Sequence, residues 1–334
     1  MQSADRVVQA SWLIAGLLLF LVLGLHLLPA LLAGLLVFQL VHLLAGLLAG
    51  RVSNRRAKLA AVVALAALVI GGTVAAAVLS AAFFNNHGGG LAELSQKMAD
   101  TIDNARLWMP SWLLAMLPEG LEAMKAAVSH WLREHAGEVG TVGKEAGRAF
   151  VHILIGMVIG AMVALHEAAA TPTLRPLAAA LTERARMLAQ AFRRVVFAQV
   201  RIAALNTAFT ALYLAVALPL LDIHLPLTKT MIGLTFAVGL LPIIGNLISN
   251  TVILVVSLSV SPLVALSSLT FLIVIHKLEY FLNARIVGGQ IAASTWELLL
   301  AMLAMEAAFG LPGLVAAPIY YAYLKGELAA AELV

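Results

Sequence analysis

Cysteine is absent, which excludes disulfides, thiolate metal sites and cysteine nucleophiles at once. Charge is nearly as scarce: Asp, Glu, Lys and Arg make up 11% of 334 residues, where an ordinary soluble domain carries about 25%. No Walker motif is present, which argues against ATP-driven work by this chain alone. The nine histidines are scattered without an HExxH or other metal spacing. No serine sits in a nucleophile elbow. Neither an enzyme, nor a cofactor, nor a metal centre is expected, and nothing points to nucleic acid as a partner.

Hydrophobic residues fill the space that charge leaves, at 62% of the chain. That composition belongs to an integral membrane protein. The expected fold is all-α, a polytopic transmembrane helical protein with roughly eight apolar segments near spanning length. Two of those segments read as broken or re-entrant helical hairpins.

In chain order, residues 1–84 read as N-terminal transmembrane helices, with spans at 12–28, 30–49 and 59–84 and Pro29 as the first turn. Arg51, Arg55, Arg56 and Lys58 cluster in one loop without an acid, which places that loop and the N-terminus in the cytoplasm. Residues 85–148 read as an extracytoplasmic amphipathic helical region, with Trp108, Trp112 and Trp131 at the interface. Residues 149–196 read as a transmembrane helix followed by a basic cytoplasmic amphipathic helix at 176–192, with Thr171-Pro172-Thr173 as hinge. Residues 197–325 form the expected broken-helix transport core and 326–334 a C-terminal tail.

Within that core, spans are expected at 197–221 and 263–282. Shorter segments at 231–241 and 247–260 are divided by Pro242, Gly245 and Asn246. The segment 296–323 is cut at Gly310-Leu311-Pro312-Gly313. A break in hydrocarbon frees backbone N–H and C=O groups that protein or water must satisfy, so broken helices belong where a cavity is lined.

Polar residues beside the breaks are the candidates for chemistry. His276, Glu279 and Asn283 fall on one helical stripe, able to bind a cation or a polyol or to relay protons. Asn246 and Asn250 share a face just after the first break. Glu306 stands four residues before Gly310. Ser294-Thr295-Trp296-Glu297 has the spacing of a helix capping box.

The succession Leu241-Pro242-Ile243-Ile244-Gly245-Asn246, Leu278-Glu279, Ile286-Val287-Gly288 and Phe309-Gly310-Leu311-Pro312-Gly313 with Pro318 resembles the autoinducer-2 exporter (AI-2E) family of bacterial membrane proteins. The resemblance implies a secondary transporter of the inner (cytoplasmic) membrane that exports a small hydrophilic solute of the autoinducer-2 type. It also admits exchange of sodium or lithium for protons, so H+ or Na+ is the implied coupling ion. The implied partners are that solute or a monovalent cation, membrane lipid, and further copies of the chain in a homo-oligomer, a pentamer by the family's pattern. A glutamate occupies the position of Glu279 in the family. The chain departs from the pattern at Glu297, near where a proline is expected after the turn at 286–288. The residues also leave open a reading from another class, a non-transporting membrane scaffold or assembly protein docking through residues 91–148.

Overall fold

A computed structural model describes residues 2–47, 53–86, 126, 130, 134, 136–167, 174–240, 244–291 and 294–333. The helices are α1 (Gln2–Gly24), α2 (Leu28–Leu47), α3 (Asn54–Asn86), α4 (Ala136–Glu167), α5 (Pro176–Leu212, continued by a π-helical turn at Tyr213–Ala217 and by Leu218–Leu220), α6 (Thr228–Gly239), α7 (Ile244–Leu258), α8 (Pro262–Ile291) and α9 (Thr295–Ala330). No strand occurs among the described residues. Five helices there are long and apolar enough to cross a membrane: Arg6–Gly24, Leu28–Leu47, Gly143–Glu167, Pro176–Leu220 and Trp296–Ala330. The amphipathic region expected at 85–148 and the hinge at 171–173 lie outside the described residues, apart from the ends of α3 and α4 and three single positions.

Helix boundaries differ from the expectation at three places. The first turn is made at residues 25–27, where His26 takes φ 58°, and not at Pro29. Pro29 instead occupies the first turn of α2, where its missing N–H would have had no helical partner. The amphipathic segment at 176–192 and the span at 197–221 are one helix, because neither glycine nor proline interrupts residues 177–218. At 1.5 Å per residue that helix is about 67 Å long, more than twice a hydrocarbon core of about 30 Å. Finally, α8 runs through Ile286-Val287-Gly288 to Ile291. Glycine in a helix interior costs only about 1 kcal/mol, so two of them without a proline do not end it.

The long apolar α9 is folded back on itself. Gly310 has φ 62° and ψ −146°, a conformation open to glycine and strained for any other residue. A Cβ at Gly313 would collide with the Met305 carbonyl, so the two arms leave the bend in direct contact. At the far end, one oxygen of Glu297 accepts from Tyr321 Oη at 2.7 Å and from Lys325 Nζ at 2.8 Å. The same oxygen accepts the Ser294 backbone N–H at 3.0 Å, the carboxylate arm of the capping arrangement. The first arm, residues 295–309, is about 22 Å long, short of a full crossing, and the second, residues 311–330, is about 30 Å.

The contacts divide the chain into two compact units. The first comprises residues 1–75, 143–196 and 287–334. In it α2 and α4 meet backbone to backbone: a Cβ on Gly156 would overlap the Ala30 carbonyl, and one on Gly160 the Gly34 carbonyl. This is the close approach that small residues four apart permit between membrane helices. A polar cluster pins the same helices to α3. Lys58, only 5% exposed, reaches His42 at 2.9 Å and Glu167 at 3.1 Å, and His42 Nε2 lies 2.6 Å from Glu167. Around α1 and α9, Leu23, Leu28 and Ala316 form an apolar cluster, and Glu327 accepts hydrogen bonds from Trp12 Nε1 and Arg184.

The second unit comprises residues 76–142 and 197–286. Its core is an apolar cluster of Leu214, Leu218, Met231, Ile253, Val256 and Leu272 with their neighbours. Here α6 and α7 form a second tight helical hairpin, since a Cβ at Gly245 would collide with the Val238 carbonyl.

Candidate functional site

The site lies in the second unit, beside the break between α6 and α7. Gly239 ends α6, where a helix leaves carbonyls without helical partners. Gln199 of α5 donates to the Gly239 carbonyl at 2.8 Å and supplies one of the groups an interrupted membrane helix needs. The closeness of Gly239 to Ala203 lets α5 reach that carbonyl.

Beside this junction a small cleft, with room for about one water molecule, opens between four helices. Helix α5 contributes Asn206 and Thr210, and α6 contributes Thr235. Helix α7 supplies Asn246, Ser249 and Asn250, and α8 closes the ring with Leu272, Ile275 and His276. The periodicities explain the convergence. Residues 206 and 210 are one turn apart, 246, 249 and 250 share a face, and 272 and 276 are again one turn apart.

The polar groups tie the helices together as well as lining the space. Thr235 donates to the Met231 carbonyl at 2.8 Å and lies 2.6 Å from the Ser249 hydroxyl. The Asn206 amide reaches Asn246 Oδ1 at 3.5 Å, the limit of hydrogen bonding. Apart from the His276 imidazole, every polar group in the described lining is a neutral amide or hydroxyl. Such a surface offers donors and acceptors in mixed order and no fixed charge.

Of the residues nominated from sequence, the structure gathers Asn246, Asn250 and His276 around one cleft. Glu279 and Asn283 follow His276 on α8, and their side chains lie outside the described residues. Pro242 falls in the segment between α6 and α7, also outside them. Gly245, Gly310 and Gly313 stand at the two bends, with Pro312 two residues past Gly310. Glu306 belongs to the first unit, where its side chain is exposed on the first arm of α9 and makes no hydrogen bond among the described residues. Sequence reading passed over Thr235 and Ser249 because isolated hydroxyls are common in membrane helices. The signal for Ser249 was its place on the same stripe as Asn246 and Asn250.

Long apolar helices, two sharply folded helical hairpins and an internal polar cleft define a multi-pass α-helical membrane protein of the transporter class. The chain belongs to the AI-2E transporter family: the family described as AI-2E family transporter matches residues 11–331. No curated protein and no solved structure matches it.

Proposed function

We propose that this membrane transporter is a secondary exporter of a small, neutral, polyhydroxylated solute of the autoinducer-2 type, bound in the cleft between α5, α6, α7 and α8. One observation carries the reading: the cleft is lined by amides, hydroxyls and one imidazole, without a carboxylate, lysine or arginine in the described lining. A polyol presents hydroxyls that donate and accept at each carbon, and such a surface matches them without burying an unpaired charge. The family supplies the transport class, and the lining of the cleft supports the proposed solute chemistry.

The two hairpins are re-entrant elements in this reading, supported by α6, α7 and the first arm of α9, each too short to cross. The cluster Arg51, Arg55, Arg56 and Lys58 supports a cytoplasmic N-terminus in the bacterial inner membrane of this reading. Family membership is the support for homo-oligomerisation in this reading, although Gly34 of the first hairpin already packs inside the chain against Gly156 and Gly160. Exchange of sodium or lithium for protons is the second reading. Glu279 favours it, one helical turn past His276 on α8, where a carboxylate can bind the coupling H+ or Na+.

Proteoliposomes holding wild type, Asn246→Ala or Glu279→Gln test both readings, with a polyol panel, sodium gradients and an internal pH dye. Export of a neutral polyol is expected in wild type, reduced about tenfold by Asn246→Ala through loss of roughly 1–2 kcal/mol of hydrogen bonding. Sodium-dependent proton flux that Glu279→Gln abolishes, without polyol movement, would select the antiporter instead.

A further inference from the structure

A second polar cluster lies deeper in the same unit. Ser257 of α7 and Ser268 of α8, both 0% exposed, are hydrogen bonded at 2.7 Å. Tyr213 Oη, at the start of the π-helical turn of α5, lies 3.1 Å from Ser268 and 2.9 Å from the exposed Ser267. Tyr213 is held in place by stacking on Phe271, with ring centroids 4.1 Å apart. The four hydroxyls form a continuous chain from the buried interior to the outside of the unit.

This cluster shares its three helices with the solute cleft. Along α5 the polar positions run Asn206, Thr210, Tyr213. Along α7 they run Asn250 to Ser257, and along α8, in the opposite direction, His276 to Ser268. Along α7 and α8 the clusters are about 10–12 Å apart by helical rise, while on α5 Tyr213 follows Thr210 by about 4–5 Å. Between them α7 and α8 each place an apolar residue, Ile253 and Leu272, and both pack with Leu214, the residue after Tyr213, in one buried cluster. Leu272 also forms the wall of the cleft. A tie between helices explains the Ser257–Ser268 bond alone, at the roughly 0.6 kcal/mol such bonds average in membranes. It does not explain a chain extended through a π turn to an exposed serine, since π turns gather at functional sites.

We propose that Tyr213, Ser257 and Ser268 form a second station for the transported solute, divided from the cleft by a gate of Ile253 and Leu272. The assignment rests on the transporter reading above. Hydroxyls alone, each donor and acceptor, suit water and neutral hydroxylated solutes and offer nothing to balance a bare charge. The solute leaves the amide-lined cleft, passes a thin apolar layer that holds back bulk water, and is received by groups that exchange hydrogen bonds one for one.

The cysteine-free sequence allows a test that does not depend on knowing the solute. Single substitutions Asn250→Cys in the cleft, Ser257→Cys and Ser268→Cys in the station, and the outward-facing Leu266→Cys and Ile273→Cys are made in the full chain. Each protein is reconstituted and treated with a membrane-impermeant methanethiosulfonate, and labelling is read by mass spectrometry. Thiolate reacts and a thiol in apolar surroundings does not, so cleft and station positions should label at least about tenfold faster than the outward pair. Adding Ile253→Ala, which is not part of the cleft lining, should speed labelling at the station and leave Asn250→Cys unchanged. Station labelling no faster than the controls, with or without Ile253→Ala, overturns the second station while labelled Asn250→Cys keeps the cleft. Silence at Asn250→Cys as well removes the cleft and the station together. If Ser257→Cys does not fold, Ser267→Cys at the outer end of the chain takes its place.

Discussion

Arg184 and Glu327 show what a buried charge does in a protein with so few. Glu327 is 5% exposed and holds Arg184 and Trp12 on one oxygen, while its other oxygen and Arg184 Nε have no partner among the described residues. Glu327→Ala leaves a guanidinium buried without its counter-charge. The expected cost is about 3–5 kcal/mol, seen as a lower thermal unfolding midpoint in detergent. Because the pair is only partly satisfied, the double replacement Arg184→Met with Glu327→Leu should recover most of that loss. A double variant no more stable than Glu327→Ala would show that the pair contributes net stability. Residue by residue, legibility in the sequence followed spacing. Asn246 and Asn250 were visible because they flank a Pro/Gly break on one face. The Arg184–Glu327 pair was not, because 143 positions separate its members and only packing joins them.

At the scale of elements, the helices themselves were legible from apolar runs and their ends were not. A charge-rich stretch looks like a separate surface helix, yet α5 continues through it for want of any helix-breaking residue. The α9 reversal was visible as a break at Gly310, but its direction was not. Only the contact of Glu297 with Tyr321 and Lys325 shows that the arms return side by side. The α2–α4 crossing gives an element-scale prediction. Gly160→Ala forces a Cβ into the Gly34 carbonyl and should cost about 1–3 kcal/mol in unfolding experiments. Gly147→Ala, on the same helix with open space around it, should instead be neutral or stabilise by up to about 1 kcal/mol. Equal effects from the two would mean that the backbones do not meet as described.

For the whole molecule, composition established the solvent, and the basic cluster at 51–58 supports the proposed orientation. The arrangement of α2 makes the second checkable. Helix α2 is about 30 Å long, enough to cross a hydrocarbon core once, so its two ends should lie on opposite faces. Ser53→Cys beside the basic cluster should react only with reagent on the cytoplasmic side, and Leu25→Cys at the other end only from outside. The opposite result would invert the proposed orientation of the transporter in the membrane. The division into two interleaved units was not legible, because contact density between distant segments leaves no trace in local pattern.

The π turn of α5 has a consequence in terms of phase. Asn206, Thr210, Leu214 and Leu218 are spaced by four, and in a regular α-helix each step of four drifts about 40° around the axis. Three such steps would carry Leu218 a third of the way round, off the face that Asn206 presents. The wider turn at Tyr213–Ala217, closed by the Leu218 N–H on the Tyr213 carbonyl, absorbs part of that drift. Leu214 and Leu218 are accordingly both buried at 1% in the same unit that Asn206 and Thr210 line. One helix face can thus begin as a polar cleft lining and end as a buried apolar seam, its pitch adjusted by a single extra residue.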